Sequence, residues 1–236
     1  MPVAQTVLAH HLRLNGWLTD GREYETPLRP DRVIWIAPER IHHKPHEKPR
    51  SRRIPPTLVV GGDWDRTLIP IEDDIVWHCF RRRFQDGESW EQTGYIDYLT
   101  TDDSEHGGCT RADARTRCEH LDRLYQYIEE HGYRSQKALE QTGGLIDELT
   151  ATWRPPAYRE IAVDVTRHGE FVWHAGMHRL VMAKLLDVSQ IPVRVNIRHR
   201  QWQRLREAIY TGEAIPWFED HPDIEYLLTD GPHADG

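Results

Sequence analysis

The chain has 236 residues, of which 38 are Asp or Glu and 30 are Lys or Arg, so its formal net charge is −8. This negative charge disfavours nonspecific binding of nucleic acid by the protein surface as a whole. No apolar run approaches the roughly 20 residues that a membrane-spanning helix needs, and residues 1–15 lack the apolar block of a secretion signal. Three scattered cysteines, an odd number, favour a reducing, cytoplasmic setting.

The first third of the chain contains two predicted strands separated by a loop. Residues 1–30 are predicted to be a loosely structured lead-in. The apolar run at residues 32–36 predicts a buried strand. Residues 39–56 are rich in His, Pro and Arg, which is typical of a loop. Residues 58–60 predict a second strand, which leads into the glycine turn at residues 61–65.

The middle of the chain is predicted to be helical. A helical insertion is placed at about residues 62–118, with a helix over residues 71–99. A strong helix follows, and Gly132 stops it at its C-terminal end. Ser135 has the character of an N-cap for a short helix over residues 137–141.

The last third alternates strands and helices. The predicted order is a strand over residues 161–165, a turn at His168-Gly169, a return strand over residues 171–173, a helix from Gly176, a strand over residues 193–197 and a helix over residues 202–210. We therefore predict an α/β fold, with a small mixed sheet and packed helices, in one domain over residues 31–210. Residues 211–236 are predicted to be an acidic tail.

A strand hands over to a helix at Gly176-Met177-His178-Arg179, and this junction is the main candidate for function. The first amides of a helix have no internal partners and attract anions. Gly176 lets a ligand approach the backbone, Arg179 offers a fork suited to phosphate oxygens, and His178 can donate or move a proton. His174, at the end of the preceding strand, can join them. An ordinary turn with a surface arginine is the alternative.

The order of elements around this junction resembles that of the ParB/sulfiredoxin-like superfamily. The resemblance covers roughly residues 121–198, from the helix that Gly132 ends to Ile191-Pro192-Val193. It implies an α/β core that binds a nucleotide at the junction. Known members include CTP-binding partition proteins, ATP-using sulfiredoxins and a free-serine kinase.

The sequence departs from each of these members at the position of Met177. Sulfiredoxins have a nucleophilic cysteine there, and a thioether has no ionisable thiol. Partition proteins have a glutamate, and no helix-turn-helix follows the predicted domain here. The kinase pattern has an aspartate where this chain has Ala175 and a histidine where it has Met177. The shared positions are Gly176, His178 and Arg179, which handle phosphate in the resemblance.

A second candidate site is the glycine turn that carries Asp63 and Asp65. Two carboxylates at positions i and i+2 can share a divalent cation such as Mg²⁺, and either can act as a general base. A tight turn capped by Asp63 is the alternative. If the fold brings residues 61–65 beside Gly176, the two candidates form one kinase-like site.

The densest group of basic side chains begins within the last predicted strand and continues into the helix after it. Its members are Arg194, Arg198, Arg200, Arg204 and Arg206. With Trp202, they can form a nucleic-acid surface. They can also pair within the molecule with the acidic tail, and the negative net charge favours this second interpretation.

These features lead to three functional hypotheses. The first is a nucleotide-binding enzyme, a Mg²⁺-dependent phosphotransferase or nucleotide hydrolase. Gly176, Met177, His178, Arg179 and His174 would bind the nucleotide, Asp63 and Asp65 would bind the metal, and Asp63, Asp65 and His178 would be catalytic. The second is a noncatalytic ParB-like module that binds nucleotide or DNA. The third is a metal-dependent nuclease built on His174, His178 and the aspartates.

Overall fold

The computed structural model describes residues 24–26, 29, 31–47, 58–101, 108–143, 154–213, 218 and 220–230. Most of the predicted lead-in, the second half of the predicted loop at residues 39–56 and the end of the predicted tail lie outside these ranges. None of the helices that the structure describes has the length and apolar composition that a membrane crossing requires.

The described residues form seven strands and nine α-helices. The strands are β1 (Ile34–Ile36), β2 (Ile41–Pro45), β3 (Leu58–Val60), β4 (Leu68–Pro70), β5 (Ile161–Val165), β6 (Phe171–Ala175) and β7 (Ile191–His199). The helices are α1 (Ile75–Phe84), α2 (Trp90–Thr93), α3 (Tyr95–Thr100), α4 (Arg111–His131), α5 (Gln136–Thr142), α6 (Pro156–Arg159), α7 (Met177–Leu185), α8 (Arg200–Tyr210) and α9 (Pro222–Asp230).

All seven strands belong to one mixed sheet, and the predicted α/β class is confirmed. The order is β1-β7-β5-β6-β2-β4, and β3 also pairs with β7. β7 runs parallel to β5 and β3 and antiparallel to β1. Because β5 occupies one edge of β7, the strands β1 and β3 share its other edge. β1 pairs with residues 191–193 and β3 with residues 197–199.

The central strands are buried on both faces, but the two faces differ in chemistry. On one face Val163 lies opposite Trp173 and Val195, and α7 packs here against β5, α1 and α4. The apolar stripe of α7 explains this packing, since Leu180 and Val181 are fully buried. The other face is polar, and its side chains contribute to the candidate site below.

Several local predictions are confirmed, and several elements differ from prediction. Gly132 ends α4, and the Ser135 hydroxyl accepts a hydrogen bond from the Ala138 amide at the beginning of α5. The predicted helix at residues 71–99 consists of a 3₁₀ turn and the three helices α1 to α3. β2 and β4 were not predicted. α9 lies within the predicted acidic tail and packs against α8 and β1.

The turn between β5 and β6 depends on a glycine. Gly169 has a φ of +88°, and a Cβ at this position would lie 2.6 Å from the indole ring of Trp202. We expect Gly169→Ala to lower the free energy of unfolding by about 2 kcal/mol, because it adds overpacking to an unfavourable backbone conformation. Denaturant unfolding with circular dichroism measures this change.

Gly87→Ala is the matched control for Gly169→Ala. Gly87 also has a positive φ, +74°, but a Cβ there would have no atom within 4 Å. It therefore reports the cost of the backbone conformation alone. Equal losses of unfolding free energy in the two variants would mean that overpacking against Trp202 adds nothing to the cost of Gly169→Ala.

Candidate functional site

Among the described residues, no side chain caps the N-terminus of α7. Gly176 occupies the N-cap position in the left-handed region, with a φ of 89°. It lies against β5, since a Cβ at Gly176 would be 3.2 Å from Ile161. The amides of Met177, His178 and Arg179 are in the first turn, where a helix has no internal acceptors for them. The backbone therefore offers a positive end suited to an anion.

The Arg179 side chain turns inward from this first turn. Its Nη2 donates to the backbone carbonyl of Arg159, and its Nη1 lies 4.0 Å from Oε2 of Glu160. The side chain is only 17% exposed. Nη1 is buried and has no hydrogen-bond partner among the described residues. Arg179 thus brings a charge and an unused donor to the beginning of α7.

Glu160 is a buried carboxylate just before β5. Its Oε1 accepts a hydrogen bond of 2.6 Å from the Gln136 amide at the start of α5, while its Oε2 has no partner in the described part of the chain. Burial raises the pKa of Glu160 to about 7, although the Gln136 amide, Arg179 and Arg159 lower it. Tyr133 lies beside Arg179, and burial raises its pKa to about 12.

A row of hydrogen-bonded polar side chains, called the polar relay below, crosses the buried face of β5, β6 and β7. Asp164 Oδ2 is 2.9 Å from His174 Nδ1, His174 Nε2 is 3.1 Å from the Asn196 amide nitrogen, and Asn196 Oδ1 accepts from Arg194 Nη1 at 2.8 Å. His174 is therefore held in one orientation by two neighbours. The relay positions Arg194 at its end.

Arg194 carries a second buried guanidinium near α7. Its Nε has no partner in the described ranges. Burial lowers the pKa of Arg194 to about 10; Tyr158 and Asp164 raise it, whereas Arg154 and Arg179 lower it. Arg154 and Arg179 therefore lie close enough to disfavour the charge of Arg194.

His178 points away from this charge, toward the helical insertion. Its Nε2 is 2.6 Å from the hydroxyl of Tyr95 on α3, and its ring stacks on Phe80 of α1 with centroids 5.4 Å apart. Burial raises the pKa of the Tyr95 hydroxyl. His174 and His178 thus have partners on different elements and do not face one another across a metal or phosphate.

Asp63 and Asp65 lie at the other end of the sheet from Gly176. Both pair with Arg167, which follows β5: Asp65 accepts from its Nη2 at 2.6 Å, and Asp63 from the same nitrogen at 3.0 Å. β5 begins beside Gly176 and ends at this pair, so about 13 Å of strand separates them. The fold does not meet the condition under which the two candidates would form one site.

The five arginines of β7 and α8 divide into buried and surface groups. Arg198 and Arg206 pair with Asp223 of α9, and all three side chains are at most 3% exposed. Arg194 is buried as described above. Internal pairing with α9 therefore accounts for Arg198 and Arg206, and the five arginines do not form one continuous surface. Arg204 is exposed and Arg200 half-buried.

Comparisons with known proteins identify no relative of this chain. No family model matches the chain, and neither the curated proteins nor the solved structures contain a match to it. Among the residues that the structure describes, no three His, Cys, Asp or Glu side chains are grouped so that they could hold a metal ion.

Sequence reasoning missed Glu160, Asp164 and Asn196. Glu160 precedes β5 and Asp164 alternates with its apolar residues, and in both places an acidic side chain is typical of an exposed position. One signal was available, since Val193 and Val195 of β7 alternate with the polar residues Arg194 and Asn196. A strand this close to the middle of a sheet is buried on both faces, so its polar side chains needed partners.

Proposed function

We propose that this chain is a nucleotide-binding protein that holds phosphates at the beginning of α7, formed by Gly176, Met177, His178 and Arg179. The observation that carries the proposal is the uncapped helix N-terminus beside Arg179 and Arg194, each with a guanidinium nitrogen that has no partner among the described residues. Helix amides and arginine forks are suited to phosphate oxygens. The ParB/sulfiredoxin-like resemblance supports the same position, because members of that superfamily bind nucleotides at such a junction.

Binding is better supported than Mg²⁺-dependent phosphoryl transfer through Asp63 and Asp65. Three donor groups of Arg167 occupy the oxygens of Asp65, so this pair does not fit a metal that bridges phosphates at Gly176. An enzyme at this site would depend on His178, but Tyr95 and Phe80 hold its ring on the side of the helical insertion. Release of phosphate from bound ATP would distinguish the enzyme from the binding module.

Nucleic-acid binding has less support than nucleotide binding. Arg194, Arg198 and Arg206 are buried in the chain, which leaves Arg200 and Arg204 for a phosphate backbone. Two cations give a shallow dependence of affinity on salt concentration.

We expect Arg179→Ala to weaken nucleotide binding by about 1.5–3 kcal/mol, the contribution of hydrogen bonds to a charged group. A thermal-shift screen against ATP, CTP, GTP and UTP, with and without Mg²⁺, identifies the nucleotide first. At about a hundredfold excess over its dissociation constant, a true ligand stabilises the protein by about 2.7 kcal/mol. Titration calorimetry then measures the affinity of the variant.

Arg204→Ala is the control for Arg179→Ala, because Arg204 is an exposed arginine of α8. Its removal changes the net charge equally but leaves the beginning of α7 intact. Equal affinities of wild type and Arg179→Ala would contradict the proposed function.

A further inference from the structure

A pocket lies where β1, the C-terminal end of α4 and the loop between α7 and β7 meet. Its volume is about 620 Å³, which is within the range of small-molecule sites. β1 supplies Trp35, α4 supplies Ile128 and Glu129, and the loop supplies Leu186 and Val188. The described residues that line it include none of those proposed to hold phosphate. The pocket can therefore take a ligand of its own.

The indole of Trp35 is the aromatic wall of this pocket. Trp35 is the middle residue of β1, and the alternation of a strand places its side chain on the opposite face from the buried Ile34 and Ile36. Trp35 is 47% exposed, so a large aromatic side chain is left partly uncovered. The face of an indole is electron-rich and attracts cations more strongly than other aromatic rings do.

The electrostatics of the pocket also favour a cation. Glu129, which is exposed, is the only residue with a charged side chain among the described residues that line the pocket. Gly132, which also lines it, ends the 21-residue helix α4. The last carbonyls of a helix have no internal donors and form its negative end. Tyr133 lies between this end and Arg179 in the chain's packing, but the Arg179 guanidinium faces Glu160 and does not line the pocket.

We infer that this pocket binds a quaternary ammonium ion, whose methyl groups lie against Trp35 and whose charge lies near Glu129. A methylated nitrogen has no hydrogen to donate, so it does not need the three acceptors that a primary ammonium requires. The apolar side chains of Ile128, Leu186 and Val188 suit its alkyl groups. An aromatic face with a nearby negative charge is the arrangement that attracts such a cation. This inference goes beyond the nucleotide site and does not depend on it.

Titration of the intact chain with choline and with 3,3-dimethylbutan-1-ol, followed by NMR, tests the inference. The two molecules have the same shape, but the alcohol has carbon in place of the charged nitrogen. We expect choline to bind roughly tenfold more tightly than the alcohol, because only choline interacts with the indole face and the carboxylate as a cation.

Variants of the two proposed contacts assign the binding to this pocket. Trp35→Leu should weaken choline binding about fivefold or more, and Trp35→Phe should retain part of the preference for choline over the alcohol. Glu129→Gln should weaken choline binding about two- to fivefold, because it removes an exposed charge. Glu119→Gln is the matched control, since Glu119 is also exposed on α4 but lies about 15 Å away along the helix. It should bind choline as wild type does.

Three results would overturn the inference. They are the absence of choline binding, equal binding of choline and the alcohol by the wild-type protein, and unchanged choline affinity in Trp35→Leu. The comparison of ligands on the wild-type protein needs no variant, so it remains decisive if a variant folds poorly. None of these results bears on nucleotide binding at the beginning of α7.

Discussion

Asp223→Asn should lower the free energy of unfolding by about 3–5 kcal/mol, the typical cost of removing one partner from a buried ion pair. Asp223 is fully buried, and its Oδ2 accepts from Arg198 Nε at 2.8 Å and from the Trp202 indole at 2.9 Å. Arg206 Nε lies 3.4 Å from the same oxygen. Asparagine preserves the shape but leaves two buried guanidinium groups without a counter-charge.

The matched control for Asp223→Asn is Glu225→Gln. Both residues lie in α9, and Glu225 is exposed, so its neutralisation should change stability by less than about 0.5 kcal/mol. Guanidinium chloride unfolding at neutral pH compares the two. A loss below about 1 kcal/mol for Asp223→Asn would mean that α9 is not held by this charge cluster.

The same cluster contributes to acid sensitivity. Burial opposes ionisation of Asp223, but Arg198 and Arg206 outweigh it and hold its pKa well below the ordinary 3.8. A carboxyl with a lowered folded pKa contributes stability that is present above its unfolded pKa and is lost as pH falls toward the folded value. The ionised Asp223 therefore stabilises the packing of α9 against Arg198 of β7 at neutral pH, and this stabilisation is lost in acid.

This cluster illustrates what the sequence pattern could and could not predict. The arginines of β7 and α8 were recognised as a charged group, and pairing with the acidic tail was the favoured interpretation. The position of α9 was not predicted, since a proline-interrupted acidic segment carries a weak helical pattern. Arg198 and Arg206 can be buried because Asp223 compensates their charges. Asp223 is distant in sequence, so no local pattern indicates this pairing.

β2 was missed for a related reason. His42, His43 and Lys44 have no apolar alternation, so residues 39–56 were predicted as loop. In the structure β2 lies between β6 and β4, and its backbone hydrogen bonds go to strands distant in sequence. β5, β6 and β7 were predicted because burial imposes an apolar alternation that can be seen locally.

In the candidate site, too, local patterns identify some residues and tertiary contacts are needed to identify the others. Gly176 and Arg179 were identified because a glycine before an amphipathic helix is a local signal. Glu160 was not identified, because its importance comes from the Gln136 amide and the Arg179 guanidinium, which tertiary structure brings to it. The predicted union of Asp63 with this site depended on strand order, and β3 pairs at the opposite end of β7 from the one required.

Glu160 also leads to a pH-dependent difference in stability. Its pKa is raised to about 7 in the folded protein from an ordinary 4.5. Between these values the folded state keeps a proton that the unfolded chain has released, so the free energy of unfolding falls as pH rises. At about 1.4 kcal/mol per tenfold change in proton affinity, the ionised carboxylate costs about 3 kcal/mol above neutral pH.

Glu160→Gln removes this titration while its side chain can still accept from the Gln136 amide. The stability of the variant minus that of wild type should therefore increase by about 3 kcal/mol from about pH 4 to about pH 8, whatever constant offset arises from leaving Arg179 without a charge partner. Urea unfolding of both proteins across this range gives the difference. Glu129→Gln, at an exposed position of α4, should show a difference that does not vary with pH.

The direction in which the stability difference between Glu160→Gln and wild type changes with pH tests whether Glu160 is desolvated. A difference that stays level, or that moves in favour of wild type as pH rises, would mean that Glu160 is not desolvated in the folded protein.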